Sequence, residues 1–121
     1  MNTSRNFREY QVWQDSVELS TYIYKTTEAM PRFESKGLCD QLRRAVVSIP
    51  SNIAEGAGRS STLEFSHFLD IAKGSCNEIE TQILIAKNIG YIDEGYYNTL
   101  LHKIQHVSSQ LYKLIKTVRT E

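Results

Sequence analysis

Apolar residues recur three and four positions apart along nearly the whole chain of 121 residues, interrupted by only two prolines and six glycines. That spacing puts side chains on one stripe of an α-helix, whereas a strand needs a period of two. No segment alternates in the strand manner, so the chain reads as all-α, with helices joined by short connections. With 40% hydrophobic and 23% charged positions, residues 1–121 read as one domain able to bury a core without staples. Cys39 and Cys76 lack CxxC spacing and read as free, packed thiols. No apolar run approaches the ~20 residues of a membrane span, and Met1–Asn6 has no signal-peptide pattern, so a cytoplasmic protein with no membrane partner is expected.

Four helices follow from the pattern. The first runs from about Tyr10 to Thr27 with Tyr10, Val12, Trp13, Val17, Leu19, Ile23 and Tyr24 inward, and Met30-Pro31-Arg32 ends it. The second runs from near Ser35 to Ala57, burying Leu38, Leu42, Ala45, Val46, Ile49 and Ile53, with Gly56 and Gly58 as its stop. Ser61 and Glu64 form a capping box that opens the third, which continues to about Asn88 and closes at Gly90. Its seam is Phe65, Phe68, Leu69, Ala72, Cys76, Ile79, Ile83 and Ala86. Asp93 caps the fourth, whose seam is Tyr97, Leu101, Ile104, Ser108, Leu111, Ile115 and Val118, widened by Leu100, Val107 and Leu114. The predicted fold is an antiparallel up-down-up-down four-helix bundle. Pro50 is its one local conflict. Either Ser48 or Ile49 caps a fresh helix there, or one helix continues through a kink; the stripe Leu42, Ala45, Ile49, Ile53 keeps its phase across the proline and favours a proline-kinked second helix.

The second helix carries a separate polar stripe, Gln41, Arg44, Ser48, Asn52 and Glu55, at the spacing of a packing seam. It can be a solvated flank, a hydrogen-bonded network at a subunit contact, or a functional site. No nucleophile stands beside a base, so no enzyme, cofactor or small-molecule substrate is expected. The run from Glu55 to Ser61 superficially suggests a phosphate loop, yet no strand precedes it and no GKS or GKT follows. A helix end followed by a helix start accounts for it. His102 and His106 stand four apart but lack a third local ligand, and read as surface histidines.

Fourteen basic residues balance fourteen acidic ones, so nucleic-acid affinity has to come from a local patch. Residues 32–59 hold Arg32, Lys36, Arg43, Arg44 and Arg59 against Glu34, Asp40 and Glu55, whereas residues 60–92 are acidic. Lys36, Arg43, Arg44 and Arg59 are the candidate phosphate contacts. On the back of the third helix, Leu63, Gly74, Thr81 and Ile85 lie opposite the seam. A mid-helix glycine costs about 1 kcal/mol against alanine, and close approach of another backbone would account for it. With the outward Leu84 and Tyr22, Gly74 and Ile85 suggest a surface covered by other copies.

Val12-Trp13-Gln14, Gln41-Leu42-Arg43-Arg44-Ala45, the stretch Ser48-Ile49-Pro50-Ser51-Asn52-Ile53-Ala54-Glu55-Gly56 with Gly58-Arg59, and Ala72-Lys73-Gly74-Ser75 closely resemble the four-helix-bundle proteins encoded in intervening sequences of bacterial 23S rRNA genes. The resemblance spans almost the whole chain. It implies a kinked-helix bundle that assembles as a homopentamer. The expected function is that of a non-enzymatic homo-oligomer binding structured RNA or a ribonucleoprotein partner, with a protein-interaction scaffold lacking any nucleic-acid role as the alternative.

Overall fold

Caps written into the sequence set the helix ends. The computed structural model describes residues 5–121, so the first four residues of the Met1–Asn6 segment lie outside it. It contains α1 (Gln11–Glu28), α2 (Leu38–Ala57), α3 (Thr62–Asn88) and α4 (Glu94–Arg119), with short 3-10 turns at Phe7–Glu9 and Arg32–Glu34, and no strand among the described residues. Ser61 Oγ accepts the Glu64 N–H at 3.1 Å and Asp93 Oδ1 accepts the Tyr96 N–H at 2.7 Å, which satisfies donors that α3 and α4 leave free at their first turns. At the far end of α3, Gly90 takes φ +88°, and the Tyr91 N–H returns to Ala86 O while the Gly90 N–H returns to Lys87 O. That is a Schellman ending, in which only glycine turns left-handed without steric cost.

α2 begins at Leu38 rather than near Ser35. The Glu34 carboxylate reaches forward to accept the Leu38 N–H at 3.1 Å, so the preceding turn supplies the cap and Ser35–Gly37 stay outside the helix. Gly56 does not stop α2, which runs to Ala57 with Gly58 as its C-cap. A Cβ at Gly56 would stand 2.8 Å from Phe68 Cβ and 3.0 Å from Phe65 Cδ1. This glycine therefore lets α2 and α3 approach closely.

The helices pack in chain order, α1 on α2, α2 on α3 and α3 on α4, and α4 returns to α1 to close the bundle. The α2–α3 pairing is the most extensive and the α1–α4 pairing the thinnest. At ~1.5 Å per residue α3 and α4 are each about 40 Å long. Leu42, Ile49, Ile53, Phe65, Leu69, Ile79, Ile104, Leu111 and Ile115 are buried at the centre, as expected. The face of α1 differs from expectation: Val12, Ser16, Leu19, Ile23 and Thr26 point inward, while Val17 and Tyr24 are 40% and 43% exposed. Ser16 occupies a core position because its hydroxyl donates to Trp13 O at 2.8 Å and leaves no free polar group. Trp13 is half-buried and packs edge-on against Phe7 at 5.2 Å. Phe68 and Leu101 are likewise half-buried, and Leu100 takes the fully buried place on α4.

α2 is continuous across Pro50, which removes the alternative of a fresh helix capped by Ser48 or Ile49. Proline has no N–H, so Val46 O loses its usual donor four residues on. Ser20 of α1 supplies a replacement, its hydroxyl lying 3.3 Å from Val46 O and 2.8 Å from Ser16 O. One proton is thus shared between two carbonyls. Ser20→Ala is expected to cost about 1 kcal/mol by leaving Val46 O without a partner. In a Pro50→Ala background, where the backbone bond is restored, most of that cost should vanish. Urea unfolding of the four proteins of this cycle measures the coupling, and equal costs in both backgrounds would exclude the compensation.

Candidate functional site

α2 supplies most of the candidate residues, and its surface divides into two flanks. On the α1 flank, Arg43 Nε donates to Thr27 Oγ1 at 2.8 Å and its guanidinium lies 4.9 Å from the centre of the Tyr24 ring. On the α3 flank, Gln41, Arg44 and Ser48 border a shallow groove of about 200 Å³ together with Ser75, Glu78 and Gln82. Arg44 is paired at 2.9 Å with Asp40, one turn earlier, and both side chains are well exposed. Its acidic partner in this chain is therefore a surface carboxylate. Lys36 is exposed in the turn before α2.

The polar stripe resolves into a network and two separate ion pairs. Ser48 Oγ and Ser75 Oγ are 2.8 Å apart across the α2–α3 boundary, and Asn52 Nδ2 donates to Ser48 O at 2.8 Å and to Ser48 Oγ at 2.9 Å. Gln41, Arg44 and Glu55 take no part in it. Glu55 instead pairs with Arg59 at 2.6 Å, and the Arg59 guanidinium lies 4.8 Å from the centre of the Phe68 ring. Lys36, Arg43 and Arg44 thus lie along the turn before α2 and its first half, Arg43 on the α1 flank and Arg44 on the α3 flank. Arg59 stands beyond its other end, since the 20 residues of α2 span about 30 Å.

Two groove residues were not singled out from the sequence. Ser75 and Gln82 are buried on α3, seven residues apart. Two polar residues at a heptad spacing beside an apolar seam are a legible signal of a wet boundary. Gln82 is only 8% exposed, and its Oε1 has no hydrogen-bond partner among the described residues. A buried acceptor without a donor costs free energy, on the order of 1–3 kcal/mol, unless something outside the chain supplies one. On the same two helices Val47, Ile71 and Ile85 are exposed, and a Cβ at Gly74 would meet nothing within 4 Å among the described residues.

Burial pushes the Cys76 thiol up to about 12, so its thiolate, the nucleophilic form, is essentially unpopulated at neutral pH. His102 and His106 border a cavity of about 290 Å³ between α1 and α4, with Asp15 Oδ2 3.6 Å from His106 Nε2. Among the described residues no three His, Cys, Asp or Glu side chains are grouped to hold a metal ion. No helix of the described residues is long and apolar enough to cross a membrane.

Glu34 ties the two connections at one end of the bundle. Tyr91 donates its hydroxyl to Glu34 Oε2 at 2.7 Å while Glu34 Oε1 accepts from Leu38 N–H. The Tyr91 bond, then the Leu38 bond, hold the Glu34 carboxyl below its ordinary value. A carboxylate depressed in the folded state stabilises it above the unfolded value, about 4.3, and that contribution disappears as pH falls through the lower folded value. Tyr91→Phe should raise the Glu34 titration midpoint toward the ordinary carboxylate range and weaken this acid dependence. A carboxyl-carbon NMR titration reads it directly, and an unmoved midpoint would rule the tie out.

Residues 8–113 match the family model described as 23S rRNA-intervening sequence protein. Among solved structures, the chain is similar to a protein with unknown function from the S23 ribosomal protein family of Bacteroides thetaiotaomicron VPI-5482. The two share 26% identity and superpose with a TM-score of 0.77 over 87% of this chain and 98% of that one. No curated protein matches.

Proposed function

The chain belongs to the 23S rRNA-intervening sequence protein family, and on that premise we propose that it is a non-enzymatic, cytoplasmic homo-oligomer, a pentamer by family resemblance, that binds structured RNA or a ribonucleoprotein. The observation that carries the RNA reading is the concentration of Lys36, Arg43 and Arg44 at the start of α2 in a chain with no net charge. Between residues 36 and 44 the three cations stand against one carboxylate, Asp40, already paired with Arg44, which leaves a local positive excess that the molecule as a whole lacks. Repeated around an assembly of copies, the same patch would engage a phosphate backbone at several points and gain avidity. Arg59, beyond the opposite end of the helix, serves as an outlying contact.

The copies meet, in this reading, over the α2–α3 groove. An incoming donor would satisfy Gln82 Oε1, and Val47, Ile71 and Ile85 would lose their exposure to water. The same groove favours the second reading, a protein-interaction scaffold that touches no nucleic acid. Equilibrium binding of a labelled structured RNA at about 50 and about 200 mM salt separates the two, because phosphate-driven affinity must fall steeply across that range. Absence of binding at the lower salt would leave the scaffold, and light scattering on the same sample gives the oligomer mass.

A further inference from the structure

We infer that Phe33 is a stacking platform for an unpaired RNA base, with Arg32 and Lys36 receiving the adjoining phosphates; this rests on the RNA-binding reading and extends it beyond charge. Phe33 is 78% exposed at the turn between α1 and α2. A lone exposed apolar side chain is ordinary, but this one is displayed from an unusually well-anchored backbone. Pro31 precedes the turn with its φ fixed by the ring, and Glu34 N–H bonds to Pro31 O, Ser35 N–H to Arg32 O and Gly37 N–H to Glu34 O, all at 2.9–3.0 Å. Glu34, the next residue, points the other way and is held by Tyr91 and by the start of α2. The ring is therefore presented to solvent at little further entropic cost on binding.

Charge selects the occupant. Glu34 is the carboxylate of this turn, and two donors already occupy it. Arg32 and Lys36 are exposed, and no described carboxylate forms an ion pair with either. The amino-terminal, positive end of the α2 dipole lies beside them. An aromatic face flanked by unpaired cations is the arrangement that holds an unpaired base by stacking and its backbone by charge. In structured RNA such bases are offered by loops and bulges, because the paired stem hides them. The basic strip continues from Lys36 to Arg43 and Arg44, about 10 Å along the helix at ~1.5 Å per residue. A loop nucleotide on Phe33 thus leads its neighbouring phosphates onto the basic patch of α2.

The test compares a labelled hairpin RNA with an unpaired loop and the same stem as a blunt duplex, measured by fluorescence anisotropy at low salt. Phe33→Ala and Phe33→Leu should each weaken hairpin binding about 5- to 100-fold, Phe33→Trp should retain it, and duplex binding should not change. Thermal unfolding should be the same for all four proteins, since the ring makes no core contact. Hairpin binding by Phe33→Ala equal to the parent's would overturn the inference while leaving the RNA reading in place. Full binding by Phe33→Leu would show an apolar contact in place of stacking, and a changed oligomer mass in Phe33→Ala would assign the ring to a second copy. A parent that binds neither RNA would remove both readings together.

Discussion

Leu111→Ala should destabilise the protein by about 2–5 kcal/mol, since it deletes a fully buried side chain at the middle of α4 and leaves a cavity that rigid helices fill poorly. The informative comparison is with its neighbours on the same helix. Leu100 is fully buried, whereas Leu101 lies at the edge of the core. Leu100→Ala should therefore approach the cost of Leu111→Ala, and Leu101→Ala should cost less than either. Urea midpoints with a common slope would establish the order. Were Leu101 the costlier of the two, α4 would have to be rotated toward the seam read from sequence alone, Tyr97, Leu101, Ile104 and Ser108.

That small rotation shows what the sequence conveys about this fold and what it leaves out. Helix number, order and nearly every boundary were legible because caps and apolar period act locally: Ser61 with Glu64, Asp93, and Gly90 each perform the task their residue type suggests. Which flank of a wide apolar stripe reaches the centre is decided by partners elsewhere in the chain. Ser16 occupies the core while Val17 and Tyr24 do not, and it can do so because its hydroxyl is satisfied by Trp13 O. The surroundings of each glycine are decided in the same way. The sequence shows that Gly56 and Gly74 both lack a side chain, but only packing reveals that Gly56 faces Phe65 and Phe68 while Gly74 faces open space. In the candidate site, Ser48 and Asn52 were legible as a network through their spacing, whereas its third member, Ser75, comes from another helix. Spacing alone also admits Arg44 and Glu55 to that network, yet each pairs one turn away along its own stretch of chain.

Removing the charge of Lys36, Arg43 and Arg44 together, each to glutamine, should weaken RNA binding about 10- to 100-fold at low salt and lower the salt slope by up to about 0.9 for each phosphate no longer engaged. The fold should tolerate the change. Arg44→Gln frees only the exposed Asp40, and Arg43→Gln gives up one hydrogen bond to Thr27 and the stacking of its guanidinium on Tyr24, a loss of about 1 kcal/mol. Arg59→Gln provides the internal control on geometry. Because about 22 Å of chain, at ~1.5 Å per residue, separates it from Arg44, the nearest member of the patch, an RNA shorter than that span on a single protomer should bind the Arg59 variant as well as the parent, and a longer one should not. The assembly must be weighed on the same samples, since a multivalent ligand reports oligomer loss as affinity loss. If the triple variant keeps the parent's mass and slope, the phosphate contacts lie elsewhere on the bundle; if it keeps the slope only when Arg44 is restored, Arg44 belongs to the RNA contact and the α2–α3 groove must bind its neighbouring copy without it.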